Sequence, residues 1–404
     1  MRISLLLARE PFGTIVERTL ERFLPVVTGV DQRVEWRDPP GRAAPGAQRF
    51  WVQAYLNAIS HERTPRGLHA PLMREFGTSL SKWRRPLQRA YMELSVAPGF
   101  RRWLSRAALD VTPGFPSPEE WLIVGGGNKI RVLHGASERC WAVVKAGFPA
   151  RFFERETCLR REATAAGVSV PELIEVDREA GWACERFVSG TPLNRLSDDR
   201  VARKILERVA EPLAAWSRAT TAMRPTEDVA APLLETARRR LDSIGVFDAD
   251  LRVRSENAIG TLERRVLARP SDPIPWSRAH GDFQPGNVLH GRRDWIIDWE
   301  HAGDRPAGYD PLVWQLATRF PAGLAGRFAR FEREGAGGAA DWLRRWLDDA
   351  GGRTPVERRA TLDRLALAEF AMRLDELDVA PLRVRPIAYD VFLAELERWL
   401  AEAA

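Results

Sequence analysis

His280-Gly281-Asp282-Phe283-Gln284-Pro285-Gly286-Asn287-Val288-Leu289, followed by Ile296-Ile297-Asp298-Trp299-Glu300, decides how this 404-residue chain is read. Asp282 and Asn287 stand five apart in a loop shaped by Gly281, Pro285 and Gly286, and Asp298 comes at the end of the next strand. Phosphoryl transfer asks for such a set: one carboxylate to orient a hydroxyl and take its proton, with an amide oxygen and a second carboxylate to hold magnesium. Asp282 fits the base, and Asn287 and Asp298 fit hard oxygen ligands. Glu300 shares the face of Asp298 if the strand continues. It is read either as touching a second metal or a water of its shell, or as a solvated or hinge carboxylate.

The pattern H-G-D-F-x-x-x-N-x-L with I-D-W-E resembles the signature of aminoglycoside phosphotransferases and their choline- and sugar-kinase relatives. The resemblance covers about residues 118–400. It implies an α+β, protein kinase-like two-lobed fold, here preceded by an additional α/β N-terminal module. It also implies ATP and Mg2+, with Asp282 catalytic and Asn287 and Asp298 at the metal. His280 would brace the loop. Asp310, in Gly308-Tyr309-Asp310-Pro311, would open a helix and brace the catalytic loop.

Upstream residues offer a second set of expectations. Arginine is the default cation of the chain, and only Lys82, Lys129, Lys145 and Lys204 are lysines. One of these four ends the strand-like run Trp141-Ala142-Val143-Val144-Lys145. A lysine there suits the α/β-phosphates, and alternation puts Val143 on the same face, against adenine. Its glutamate partner is expected on the next helix. Of Glu154, Glu156 and Glu162, Glu156 shares a helical face with Leu159, Ala163 and Ala166, and its distance from Gly167-Val168-Ser169-Val170-Pro171 is similar to the family's. Gly125, Gly126, Gly127 and Asn128 lie between two short strands and would bring backbone N–H groups close to phosphate oxygens. Glu185, Phe187 and Val188 resemble the family's inter-lobe hinge. No G-x-x-x-x-G-K-[ST] occurs, so a P-loop ATPase is not expected.

Three regions follow from the texture of the chain. Residues 1–115 form the N-terminal module: a strand at 2–8, a helix at 13–28, a strand at 32–37, and helical pieces from 49 to 110. The prolines of 111–118 mark a linker. Residues 118–190 form a β-rich nucleotide lobe, with strands at 121–124, 130–133, 140–145, 174–176 and 182–187 and a helix at 152–166. Residues 191–404 form a helical lobe containing a catalytic loop at 280–289 and a metal loop at 296–311.

Composition bounds the remainder. Apolar residues at 45% and charged residues at 29% suit a folded globular chain. No apolar run reaches the roughly 18–20 residues a spanning helix needs, and a cytoplasmic protein is expected. Cys140, Cys158 and Cys184 form no C-x-x-C pair and read as reduced, packed thiols. The net charge of +6 resides in residues 1–120, which hold 18 Lys/Arg against 12 Asp/Glu, while the rest balances. Within it, residues 63–106 hold ten basic groups and two acidic ones, with Trp83, Phe100 and Trp103 among the arginines. Two readings stand for that stretch: peripheral contact with an anionic surface, or a solvated face whose arginine stems cover apolar area. Nucleic acid is not expected, since no module accompanies the charge. The expected reaction moves the γ-phosphate of ATP to a hydroxyl of a sugar, amino alcohol or aminoglycoside-like compound. The alternatives are a nucleotide-binding pseudokinase, a protein or lipid-linked acceptor, and nucleotidyl transfer.

Overall fold

The computed structural model describes residues 2–76, 83–268, 271–337, 339–349, 354–379, 382–384 and 387–402. The chain divides into two compact units. The first comprises Met1–Thr157, Pro171–Ser197 and Leu289–Asp294; the second comprises Cys158–Val170, Asp198–Val288 and Trp295–Ala404.

The first unit is built on a nine-stranded sheet. Its helices are α1 (Ile3–Arg9), α2 (Phe12–Thr28), α3 (Arg66–Phe76), α4 (Arg85–Val96), α5 (Arg101–Leu104) and the start of α6 (Arg151–Ala165). Its strands are β1 (Arg33–Arg37), β2 (Gln48–Gln53), β3 (Ala58–His61), β4 (Ala108–Thr112), β5 (Trp121–Val124), β6 (Lys129–His134), β7 (Arg139–Val144), β8 (Leu173–Asp177) and β9 (Trp182–Arg186). They run in the order β1-β4-β2-β3-β5-β6-β7-β9-β8. Alternation sends Ile123, Ile130, Val132 and Val143 to one face, in a core with Phe12, Val16, Leu20 and Phe23 of α2. Leu122, Val124, Leu133 and Cys140 go to the other, with Leu72 and Phe76 of α3 and Met92 and Val96 of α4. Burial on both faces explains why Trp121-Leu122-Ile123-Val124 is apolar throughout instead of alternating.

That sheet corrects several expectations. Residues 2–8 are helical, not a strand: Ile3 and Leu6 are buried one turn apart, and Leu5 is exposed. A short apolar run does not by itself choose between the two. The stretch from 49 to 110 contains three strands as well as helices, and Phe50 and Val52 of β2 alternate into the core. Most importantly, 111–118 separates no module from a lobe. β3 pairs with β5 through Ala58↔Val124, Ile59↔Ile123 and Ser60↔Leu122, so residues 1–115 extend the same sheet. The proline-rich segment is pinned: Phe115 stacks on Phe50 and meets Trp121 edge-on, and its backbone N–H and C=O both bond the Gln48 amide at 2.8 Å. Cys140 and Cys184 are packed, whereas Cys158 on α6 is exposed.

The second unit is mostly helical: α7 (Asp199–Ala219), α8 (Thr226–Ser243), α9 (Ala249–Val266), α10 (Tyr309–Leu316), α11 (Leu324–Glu334), α12 (Asp341–Asp349), α13 (Pro355–Leu377) and α14 (Ile387–Ala401). Side-chain caps start several of them: Asp198 accepts from Arg200 N and Val201 N, Asp248 from Leu251 N, and Thr354 with Glu357 forms a capping box on α13. A small antiparallel sheet, which the sequence reading did not foresee, joins Ala222–Pro225, Pro273–Ala279 and Gly303–Pro306. Its middle strand delivers the chain to His280. Among the described residues, no helix is long and apolar enough to cross a membrane.

Candidate active site

The loop from His280 to Asn287 is fixed from four sides, all within the second unit. Gly281 has φ +81°, and a Cβ there would lie 2.0 Å from the His301 carbonyl oxygen, so only glycine fits. Asp310, in the first turn of α10, accepts from the backbone N–H of His280 at 2.7 Å and of Gly281 at 2.9 Å. Phe283 is fully buried against Trp314 and Trp346 and anchors the loop in the helical core. Asn287 N–H closes the turn on the Gln284 carbonyl at 2.9 Å.

His280 is a bracing group. Its Nε2 lies 3.0 Å from the Ile297 carbonyl oxygen, which can only accept, and its Nδ1 takes the Asp282 N–H at 3.2 Å. That pattern defines the neutral Nε2–H tautomer, and burial lowers the imidazole pKa accordingly. Burial also raises the pKa of Asp310, although His280 and the two backbone N–H groups oppose the shift.

Asp282 is buried and heavily bonded. Asn287 Nδ2 donates to Asp282 Oδ2 at 2.7 Å and to its backbone oxygen at 2.9 Å. The carboxylate can only accept, so the Asn287 amide is oriented with its nitrogen committed and its oxygen left for a cation. Gln284 Nε2 sits 3.0 Å from both carboxylate oxygens. Ile297 N–H bonds the Asn287 carbonyl at 2.9 Å and ties the Asp298 loop to the catalytic loop. Asp298 itself has φ +67°, a left-handed conformation that costs a non-glycine residue about 1–2 kcal/mol. Trp299 stabilises that turn from within: it is fully buried, bonds the Ile296 carbonyl through Nε1 and meets the His280 ring edge-on.

Arg319, just beyond α10, was missed by sequence reasoning. Its Nε donates to Asp282 Oδ1 at 2.5 Å, Nη2 donates to the Gly281 carbonyl, and Nη1 donates to Glu369 Oε2 at 2.7 Å. Burial works against the guanidinium, but Glu369 and Asp282 outweigh it and hold its pKa well above the ordinary arginine value. Only its place nine residues after Asp310, at a helix end, hinted at it. His301 is a second omission. It pairs with Glu376 at 3.1 Å, and although burial disfavours its charge, Glu376 and then Glu300 raise its pKa to about 9.

In the first unit the nucleotide residues expected from sequence are differently engaged. Lys145 is fully buried; its Nζ donates to Glu10 Oε1 at 2.5 Å and to the Gly127 carbonyl at 2.7 Å. Glu156, the expected partner of Lys145, takes the ammonium of Lys129. The structure thus describes two lysine–glutamate pairs where one was expected. Val143 lies in the core with α2, so the face expected to cover adenine is covered by a helix. Gly125 accepts from Asn57 Nδ2 at 2.8 Å, and a Cβ on it would crowd Asn57, Ile3 and Leu6 at 2.9 Å. Gly126 has the Lys129 carbonyl 2.4 Å from any Cβ, Gly127 serves Lys145, and Asn128 is buried beside Lys129. Close approach of neighbouring atoms requires glycine at Gly125 and Gly126. Glu185 pairs with Cys140 of β7 at a half-buried position, one residue before the ladder ends at Arg139↔Arg186; Phe187 N–H bonds the Glu138 carbonyl at 2.8 Å, and Val188 is half-buried.

A family model described as "Phosphotransferase enzyme family" matches residues 131–350. Among solved structures, a choline/ethanolamine kinase family protein from Mesorhizobium loti is 20% identical, covering 78% of this chain and 98% of that one with a TM-score of 0.46. Choline kinase LicA from Streptococcus pneumoniae is 13% identical over 71% and 91% of the two chains, TM-score 0.39. A thermostable mutant of aminoglycoside phosphotransferase APH(4)-Ia, in ternary complex with AMP-PNP and hygromycin B, is 17% identical over 70% and 92%, TM-score 0.44. No curated protein matches the chain.

Proposed function

The chain belongs to the phosphotransferase enzyme family, and from that premise we propose that it transfers the γ-phosphate of ATP to a hydroxyl of a small molecule, such as a sugar, an amino alcohol or an aminoglycoside-like compound. The observation that carries the proposal is the state of Asp282: a buried carboxylate oriented by Asn287 on one oxygen and by Arg319 on the other.

Asp282 receives the acceptor hydroxyl and takes its proton as the oxygen bonds to the γ-phosphorus. The bond from that phosphorus to the bridging oxygen breaks at the same centre, and ADP leaves. Gln284 shares one N–H group region between the two carboxylate oxygens, so it is the contact an arriving hydroxyl most readily replaces. Asn287 and Asp298 offer an amide oxygen and a carboxylate. This donor chemistry fits Mg2+, which takes few protein ligands and completes its shell with phosphate and water oxygens. Bound there, it would offset charge on the phosphates. The nucleotide phosphates are assigned to the ammonium of Lys145, on the family likeness of its position; its carboxylate partner is Glu10, while Glu156 holds Lys129.

An ATP-consumption screen over hydroxylated metabolites tests the proposal, with the Asp282→Asn variant as blank. A panel member that drives ADP release in the parent alone identifies the acceptor class. Equal turnover in parent and variant would refute the assignment of Asp282.

A further inference from the structure

Trp83, Leu87, Leu94, Phe100 and Trp103 stand exposed around α4 and α5 of the first unit; Trp103 is 76% and Trp83 68% accessible. Packing accounts for one side of α4, where Met92 and Val96 enter the core with Leu72 and Phe76. Leu87 and Leu94 are two helical turns apart, on a line of their own facing solvent. The helix is thus apolar on a side that the fold does not bury.

Charge surrounds this side chain set. Residues 83–106 hold six arginines and a single acid, Glu93. Glu93 is paired with Arg66 at 2.5 Å. Arg101 is buried and spends its guanidinium on the carbonyls of His61, Glu62, Thr64 and Val96. Arg84, Arg89, Arg102 and Arg106 are exposed. The guanidinium of Arg84 lies 4.6 Å from the centre of the Trp83 ring, and that of Arg102 lies 5.3 Å from Trp103. These stacks do not cover the indoles, as the exposures above show, so arginine stems shielding apolar area do not explain the stretch.

We propose that the α4–α5 face docks on an anionic lipid surface. Indole and phenyl rings are favoured at the headgroup level, where one side is apolar and the other wet. Arginine spans the same boundary, its stem on apolar area and its guanidinium on phosphate. Each basic group at such a surface adds about fivefold to binding. The rest of the chain, from residue 121 on, is electrically neutral and does not compete for the surface. A second copy of this face is a poorer occupant, because like charges would be pressed together.

The test is co-sedimentation of the full chain with vesicles of phosphatidylcholine alone and of phosphatidylcholine mixed with phosphatidylglycerol. Binding is expected to the mixed vesicles only, to fall with added salt, and to drop at least tenfold in a Trp83→Ser/Trp103→Ser double variant. An Arg84→Ser/Arg102→Ser variant should lose about 25-fold, two steps of the fivefold contribution. Circular dichroism and thermal melting confirm that each variant is folded; the substitutions are at exposed sites. The proposal is overturned by absent binding, by equal binding to both vesicles, by variants that sediment like the parent, or by a dimer that the double tryptophan variant dissolves.

Discussion

The loop around Asp282 in the second unit and the segment just after β7 that carries Lys145 in the first respond differently to the rest of the chain. Around Asp282, Asn287 is five residues away and Gln284 two, so the loop brings its own partners. Around Lys145, the carboxylate is Glu10, 135 residues away, delivered by the turn between α1 and α2. A motif that supplies several of its own contacts is legible in sequence, even though distant groups such as Asp310 and Arg319 complete it. A single charged residue at the end of a strand takes whichever partner the surrounding packing supplies.

The largest effect should come from Asp282→Asn. Losing a general base that acts on the transferred proton typically costs about 10²–10⁴ in turnover, and the side chain keeps its shape, so nucleotide binding should survive. Steady-state ADP release and nucleotide-induced thermal shifts measure the two separately. A variant that loses nucleotide binding in proportion to turnover would place Asp282 on the wrong side of the comparison.

Glu10 comes next. Both side chains of the Glu10–Lys145 pair are fully buried, and removing one partner from such a pair costs about 3–5 kcal/mol. Urea denaturation of Glu10→Ala should show a loss of that order. The isosteric Glu10→Gln sharpens the point: if the Lys145 ammonium serves the nucleotide phosphates, removing its carboxylate should increase the stabilisation given by Mg-ATP. An unchanged or smaller shift would make the pair a packing element only.

Legibility in the sequence follows the same division. The run from His280 to Asp298 could be read as one closely built loop region, because glycine at a φ of +81° and an asparagine donating to the neighbouring aspartate are requirements of the loop itself. The α+β class and the strands from Trp121 to Arg186 were also visible, since apolar runs broken by turn residues mark them. The continuity of the sheet across 111–118 was not. Three prolines look like a linker when nothing in the sequence says that Gln48 will bond the backbone at Phe115. Arg319 and Glu369 are 37 and 87 residues from Asp282, and an arginine in so arginine-rich a chain carries no signal of its own.

Arg319 offers a smaller, catalytic test. It touches Asp282 but no reacting atom is assigned to it, so it acts as a positioning residue. Arg319→Lys keeps the charge and loses the fork that reaches Asp282, Gly281 and Glu369 together. Turnover should fall by about 10²-fold, the usual cost of misplacing a catalytic group, while the KM for ATP stays put. A matching rise in that KM, with turnover unchanged, would move Arg319 to nucleotide binding.

The smallest effect lies in pH. The pKa of His301 is raised to about 9 from an ordinary 6.5, and that of Glu376 is lowered to about 2 from 4.5; burial opposes both shifts, and the pair's mutual hydrogen bond and charge overcome it. A raised histidine pKa means stability that is complete below pH 6.5 and lost as pH rises through about 9. The lowered glutamate pKa means stability present above pH 4.5 and lost as pH falls through about 2. Glu376 keeps 43% of its side-chain area in solvent, so screening limits the pair to about 1 kcal/mol. Melting temperatures between pH 6.5 and 9.5 should therefore decline slightly more steeply for the parent than for His301→Gln. Parallel curves would show that His301, three residues beyond Asp298, owes its place to packing rather than to its charge.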